Sequence, residues 1–239
     1  MISKEELEIN LEGVKKRVEA AAKRAGRDVD SVKLIAVSKT NPAEAVENAF
    51  NAGISVFGEN KVQEMTEKQE TLKSINDKLE WHLIGHLQTN KVKYIIGKTA
   101  LIHSVDSLKL AEEINRLSEK NNTVTDILIE VNIADEESKF GITAGNCEDI
   151  VREIAVLKHV RIRGLMCIAP QTDEPESNRK YFQKLRKLSV DINNKNIDNV
   201  YMHELSMGMT GDFEVAIQEG ATMVRVGTGI FGKRDYSIV

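Results

Sequence analysis

Lys39 closes the apolar run Leu34-Ile35-Ala36-Val37-Ser38 and precedes Thr40-Asn41-Pro42, which reads as a helix start. A lysine at the inner end of a buried strand is partly desolvated, which disfavours its charged form and lowers its pKa. The neutral amine attacks aldehydes and ketones and forms a Schiff base. The competing reading is a lysine that lays its stem on apolar surface and keeps its charge in water. Two further stretches bear on the choice: "LSMGMTGDFEVAI" (205–217) and "VRVGTGIFG" (224–232). Their glycines let backbone N–H groups approach an anion, and Ser206 and Thr228 add hydroxyl donors. The first also leads into a helix, whose N-terminus favours negative charge. Glycines in one loop could merely shape a turn, whereas two such loops together point to a phosphate. Arg225 alternates with Val224 and Val226, so it faces either a core or a layer of helices. Facing the helices it would be costly to bury. Facing inward it serves either a ligand or an ion pair with Glu204, and spacing leaves both open.

These residues need a frame that brings them together. An amphipathic helix over 4–25, with Leu7, Leu11, Val14 and Val18 on one face, ends at Gly26. Eight short apolar runs follow, at 32–39, 54–60, 80–86, 101–106, 126–132, 160–169, 200–208 and 223–232. Helical patterns separate them at 42–52, 59–75, 88–97, 107–121, 146–158, 176–193 and 211–219, with start signals at Asn41-Pro42, Ser107 and Thr210. Strict alternation implies parallel strands joined by crossover helices, and eight such units imply an α/β fold, the (β/α)8 TIM barrel. The rival, a doubly wound open sheet, normally carries a glycine-rich turn after its first strand, and Ser38-Lys39-Thr40 has none. In a barrel the strand ends carry the chemistry, and the loops after strands seven and eight frequently bind phosphate.

Composition narrows the function further. The 239 residues fit one domain, 1–239, without a proline- or glycine-rich linker. A net charge of −4 argues against a nucleic-acid binder. No apolar run is long enough to span a bilayer, and the charged N-terminus lacks the core of a signal peptide, so a cytoplasmic location is expected. Cys147 and Cys167 form no CxxC pair and read as reduced packing residues. His82 and His86 flank a strand end, not one helix face, so no metal site is expected. The loop "ADEESK" (134–139) reads as solvated, and the polar tail "KRDYSIV" (233–239) suggests no mechanism. A reactive lysine beside a phosphate site suits pyridoxal 5'-phosphate (PLP), and equally a phosphosugar in a Schiff-base aldolase.

The motifs "LIAVSKT", "FGENKVQE", "WHLIGHLQTNK", "HSVDS", "LIEVN" with "KFGI", "RGLMCIAP", "LSMGMTGDFEVAI" and "VRVGTGIFG" decide between these. Through them almost the whole chain resembles the YggS/PROSC family of PLP homeostasis proteins. That family is similar to the barrel domain of bacterial alanine racemase, a fold-type III PLP protein. The resemblance implies a Schiff base between PLP and Lys39. It implies a phosphate held by Ser206, Gly227 and Thr228, Arg225 facing the pyridine nitrogen, and Asn60 beside the cofactor. Met207, His203, Met166 and His82 would surround it. Gly229 is a small departure, since relatives often carry alanine or a charged residue there. The implied function is intracellular PLP storage, buffering or delivery, with PLP and apo PLP-dependent enzymes as partners and no catalytic residues. The alternative is a weak PLP-dependent amino-acid racemase or lyase.

An arginine against the ring nitrogen stays charged and can only donate, so the nitrogen stays unprotonated and the cofactor is a weaker electron sink. Transamination is thereby disfavoured. Racemisation needs acid and base groups on both faces of the substrate. Alanine racemase brings its second face from a C-terminal β domain, for which 239 residues leave no room. A more open pocket is therefore expected, with Lys39 its one evident base. An exposed cofactor suits a monomer.

Overall fold

Nine strands run through the computed structural model, which describes residues 2–232. They are β1 (Lys33–Val37), β2 (Val56–Glu59), β3 (Glu80–Leu83), β4 (Leu101–Val105), β5 (Thr125–Asn132), β6 (Ile142–Thr143), β7 (Val160–Met166), β8 (Val200–Met209) and β9 (Met223–Val226). All but β6 form a closed ring, in which β4 pairs with β5 and β9 returns to β1. Every pairing is parallel, so each strand must be joined to the next by a crossover. The crossovers carry α2 (Ala43–Asn51), α3 (Val62–Thr71), α4 (Leu108–Lys120), α5 (Cys147–Ala155), α6 (Arg179–Asn193) and α7 (Phe213–Gln218), and α1 (Lys4–Arg24) precedes the barrel. This is the expected TIM barrel with an extra N-terminal helix. β6 is a two-residue ribbon on the edge of β5, too short to show as an apolar run.

The local signals explain most boundaries. Ser3 caps α1 by accepting from the Glu6 N–H, and Ser107 caps α4 by accepting from Leu110 N–H. Gly26 follows the end of α1 with φ 66°, where a Cβ would be strained. The pattern at 88–97 gives a 3-10 turn, Thr89–Tyr94, instead of an α-helix. Its β-branched residues and the closing Gly97 make it a poor α-helix former. The last run is also shorter as a strand: it ends at Val226, and Thr228–Phe231 makes one helical turn, α8.

Alternation along the strands separates two faces. Phe57, Trp81, Leu83, Ile127, Ile129, Leu165, Leu205, Val224 and Val226 pack outward in the main apolar core. Ile35, Leu101, Leu128, Met166 and Met223 form a smaller cluster inside the barrel. The two faces alternate, so Arg225 shares the inward face of Met223. Cys147 and Cys167 are free and fully buried, and burial pushes both thiols up to about 12.

Candidate functional site

Lys39 stands directly after β1, half-buried, between two residues that are tied down. On one side, Ser38 donates its hydroxyl to Glu59 Oε1 at 2.6 Å. On the other, the Thr40 N–H donates to Glu64 Oε1. Lys68 joins the two, donating to the Ser38 carbonyl at 2.8 Å, to Glu59 Oε1 at 2.5 Å and to Glu64 Oε1 at 2.8 Å. All three ammonium hydrogens therefore have acceptors, which is what makes a buried lysine tolerable. Burial pushes the Glu59 carboxyl above the ordinary range against the pull of Lys68. Thr40 has φ 65°, a left-handed conformation that a β-branched residue rarely adopts and that costs about 1–3 kcal/mol. The clamp holds that turn and so fixes where the Lys39 side chain leaves the backbone.

The second part is the pair of turns after β8 and β9. The two are joined where the Gly229 N–H donates to Thr210 Oγ1 at 3.4 Å. Asp212 shapes the first turn, accepting from the Met209 N–H at 2.7 Å and from Asn178 Nδ2 at 2.8 Å. Gly227 sits against the end of β1: a Cβ there would stand 3.3 Å from the Val37 carbonyl, two residues before Lys39. Thr228 is exposed. The glycine turn and the lysine are thus neighbours because β9 closes onto β1.

The third part lies inside the barrel. Arg225 is 4 % exposed, and donates from Nη1 to Ser206 Oγ at 2.6 Å and from Nη2 to the Cys167 carbonyl at 2.8 Å. The ion pair with Glu204 is absent, since that carboxylate accepts from Thr222 Oγ1 instead. Ser206 also meets His103 Nδ1 at 2.9 Å, and His103 Nε2 meets His82 Nδ1 at 2.7 Å. Glu130, on the inward side of β5, faces Asp106 and Arg225, and burial pushes its carboxyl up to about 7. His103, Glu130 and Lys68 were not among the sequence candidates, whereas Glu59 stands at a strand end, where barrel chemistry is expected. The inward positions of His103 and Glu130 follow from strand register, their one signal being a polar residue inside an apolar run, whereas Lys68 reaches the mouth from helix α3.

The remaining expected residues divide. Asn60 is next to Glu59 at the end of β2, and its buried Oδ1 has no hydrogen-bond partner. A Cβ on Gly85 would overlap the Asn60 carbonyl, so glycine is what lets the turn after β3 approach. Met166 is in the inner cluster and fully buried. His82 is buried below Ser206 and linked to it through His103. Met207 packs its side chain outward, leaving only its backbone for the site. His203 is exposed, and its ring lies 6.3 Å from that of Tyr201. The Ser206 hydroxyl is engaged by Arg225 and His103.

The rim is partly folded over by the segment after β5. Asn132 ties it back, accepting from the Glu136 N–H and donating to the Glu136 carbonyl. Lys139, in the loop read from sequence as solvated, is half-buried and donates to Glu136 Oε1 at 2.6 Å and to the Ala169 carbonyl at 3.4 Å. Phe140 stacks on His86 with ring centres 3.9 Å apart. The tail 233–239 lies outside the described residues.

Residues 9–235 match the family model for the alanine racemase N-terminal domain. A protein of Aquifex aeolicus named pyridoxal phosphate homeostasis protein is 48 % identical over 226 residues, covering 95 % of this chain and 97 % of that one. A crystal structure of a Bifidobacterium adolescentis protein of unknown role aligns with a TM-score of 0.91 at 36 % identity, over 97 % of this chain and 98 % of the other. The structure of PipY from Synechococcus elongatus with PLP bound aligns with a TM-score of 0.79 at 35 % identity, over 90 % of this chain and all of PipY.

Proposed function

The chain belongs to the pyridoxal phosphate homeostasis protein family, and we propose that it binds PLP through Lys39 and stores, buffers or delivers it to apo PLP-dependent enzymes. One observation carries the reading. The closure of β9 on β1 sets the Gly227 turn against Val37, two residues from Lys39, so an amine and an anion-binding turn face one mouth. The residues fit the group: a clamped lysine, a glycine turn, a buried guanidinium and an unpartnered Asn60 oxygen. PLP supplies an aldehyde. Lys39 Nζ condenses with it, a C=N bond forms and one water leaves. Gly227 and Thr228 hold the phosphate through backbone and hydroxyl donors, and the backbone of Met207 borders it. Arg225 faces the ring nitrogen, Asn60 lies beside the ring, and Met166 and His82 pack below.

The same geometry speaks for retention without turnover. Arg225 can only donate, so it leaves the ring nitrogen unprotonated and weakens the electron sink. The mouth is open enough to leave Thr228 exposed, which suits a monomer that surrenders its cargo.

The test is the visible spectrum of the purified protein before and after borohydride, with peptide mass mapping. A yellow protein that bleaches and carries one pyridoxyl group on Lys39, lost in Lys39→Ala, supports the reading. A protein that takes up no added PLP and leaves Lys39 unmodified overturns it. Sustained turnover of a free amino acid, abolished in Lys39→Ala, would make it an enzyme and not a carrier. A dimer in sedimentation would remove the monomer from the reading.

A further inference from the structure

We infer that Glu80, His82, His103 and Ser206 form a one-way hydrogen-bond relay that positions Arg225, so that Ser206 serves the guanidinium and not the phosphate. The inference rests on the PLP reading for its consequence, but the relay itself is set by geometry.

Its direction can be derived from the far end. Lys33 Nζ donates to Glu80 Oε1 at 2.6 Å, and the bonds to His82 and Lys33 hold the Glu80 carboxyl down at about 2. Glu80 is therefore a carboxylate and only accepts. His82 Nε2, 2.8 Å from the same oxygen, must carry hydrogen. His82 is 1 % exposed, and burial pushes its pKa down, so it holds one proton and its Nδ1 must accept. His103 Nε2, 2.7 Å away, must then donate. His103 is fully buried, and burial, with His82 and Arg225 nearby, holds it well below the ordinary imidazole value. Its Nδ1 must accept too, and the donor 2.9 Å away is the Ser206 hydroxyl. That spends the one hydrogen of Ser206. Its oxygen is left to accept from Arg225 Nη1 at 2.6 Å, while Nη2 is fixed on the Cys167 carbonyl. Two anchors on two nitrogens fix the plane of the guanidinium.

The relay makes Ser206 a positioning residue with nothing left to donate to a phosphate. It gives the two buried histidines a role: each passes a hydrogen in the same direction, and burial disfavours a second proton on either. The anionic end of the relay, Glu80, is half-exposed at the opposite end of β3 from the mouth.

Two measurements test it. In the 15N spectrum of the labelled wild-type protein, His82 and His103 should both show the Nε2–H tautomer. Either ring in the Nδ1–H form, or as an imidazolium at neutral pH, overturns the relay whether or not PLP binds. The second compares PLP with pyridoxal, which lacks the phosphate, in wild type, Ser206→Ala, His103→Phe and the double variant. Loss of one buried hydrogen bond is about tenfold in affinity. Each single variant should weaken both ligands by that same factor, shift the visible maximum alike, and gain nothing further in the double. A loss in Ser206→Ala confined to PLP would return Ser206 to the phosphate and overturn the proposal. A wild-type protein without a Lys39 adduct would sink the PLP reading, while the tautomers would still decide the relay.

Discussion

Glu130 should hold its proton at pH values where an ordinary glutamate has lost it. It lies 6 % exposed on the inward side of β5, with Asp106 adding negative charge and Arg225 only partly offsetting it. Its carboxyl rises from 4.5 in the unfolded chain to about 7 in the fold. Between those values the folded protein binds more protons than the unfolded one, so stability falls as pH rises from 4.5 to 7 and levels off above. At about 1.4 kcal/mol per pH unit, this slope costs about 3 kcal/mol by pH 8. Glu130→Gln keeps the shape of the protonated acid and carries no titrating proton. It should match wild type near pH 4.5 and exceed it by about 3 kcal/mol at pH 8. Urea unfolding of both proteins at half-unit steps reads this directly. Glu59 is also raised by burial, but it is present in both proteins and cancels in the difference. Curves that run parallel from pH 4.5 to 8 would refute the reasoning, and would mean that Glu130 is ionised as a counter-ion for Arg225.

Three other outcomes follow from the packing. Lys68→Met should cost about 3–5 kcal/mol in urea unfolding, because Glu59 keeps its burial and loses its cation; adding Glu59→Gln should recover part of it. Gly164→Ala should fail to give a soluble fold or lose more than about 4 kcal/mol, since a Cβ there would overlap the Glu204 carbonyl at the bulge between β7 and β8. A thiol reagent at pH 8 should leave both cysteines unmodified in the native protein and label two in urea, as burial pushes both up to about 12; labelling of the native protein would contradict the burial.

The barrel was legible because each strand is an apolar run bounded by turn residues and each crossover has helical spacing. That Lys39, Gly227 and Thr228 stand just beyond the ends of β1 and β9 was legible too, because each follows an apolar run that stops there. The exposure of His203 was not legible, because an apolar run does not show which way each strand residue points. The register that points Glu204 and Ser206 inward is set by the bulges between β7 and β8. His103 and Glu130 were missed because each looks like an ordinary polar residue until the closed sheet turns it inward, and Lys68 because it looks like an ordinary solvated residue of helix α3. The Lys68 clamp also spans three separate segments, which no spacing rule connects.

The seam between β1 and β9 has a consequence for biosynthesis. The first barrel strand to leave the ribosome finds one of its two neighbours only when the last has been made. Helix α1 waits as well, because its partners include α7 and α8, with Arg17 pairing to Glu214 and Asn10 reaching the Ile230 carbonyl. Lys39 and the Gly227 turn stand on opposite sides of that seam. A nascent chain therefore brings the lysine and the glycine turn together only once the barrel closes, so the PLP binding proposed for them would report that closure.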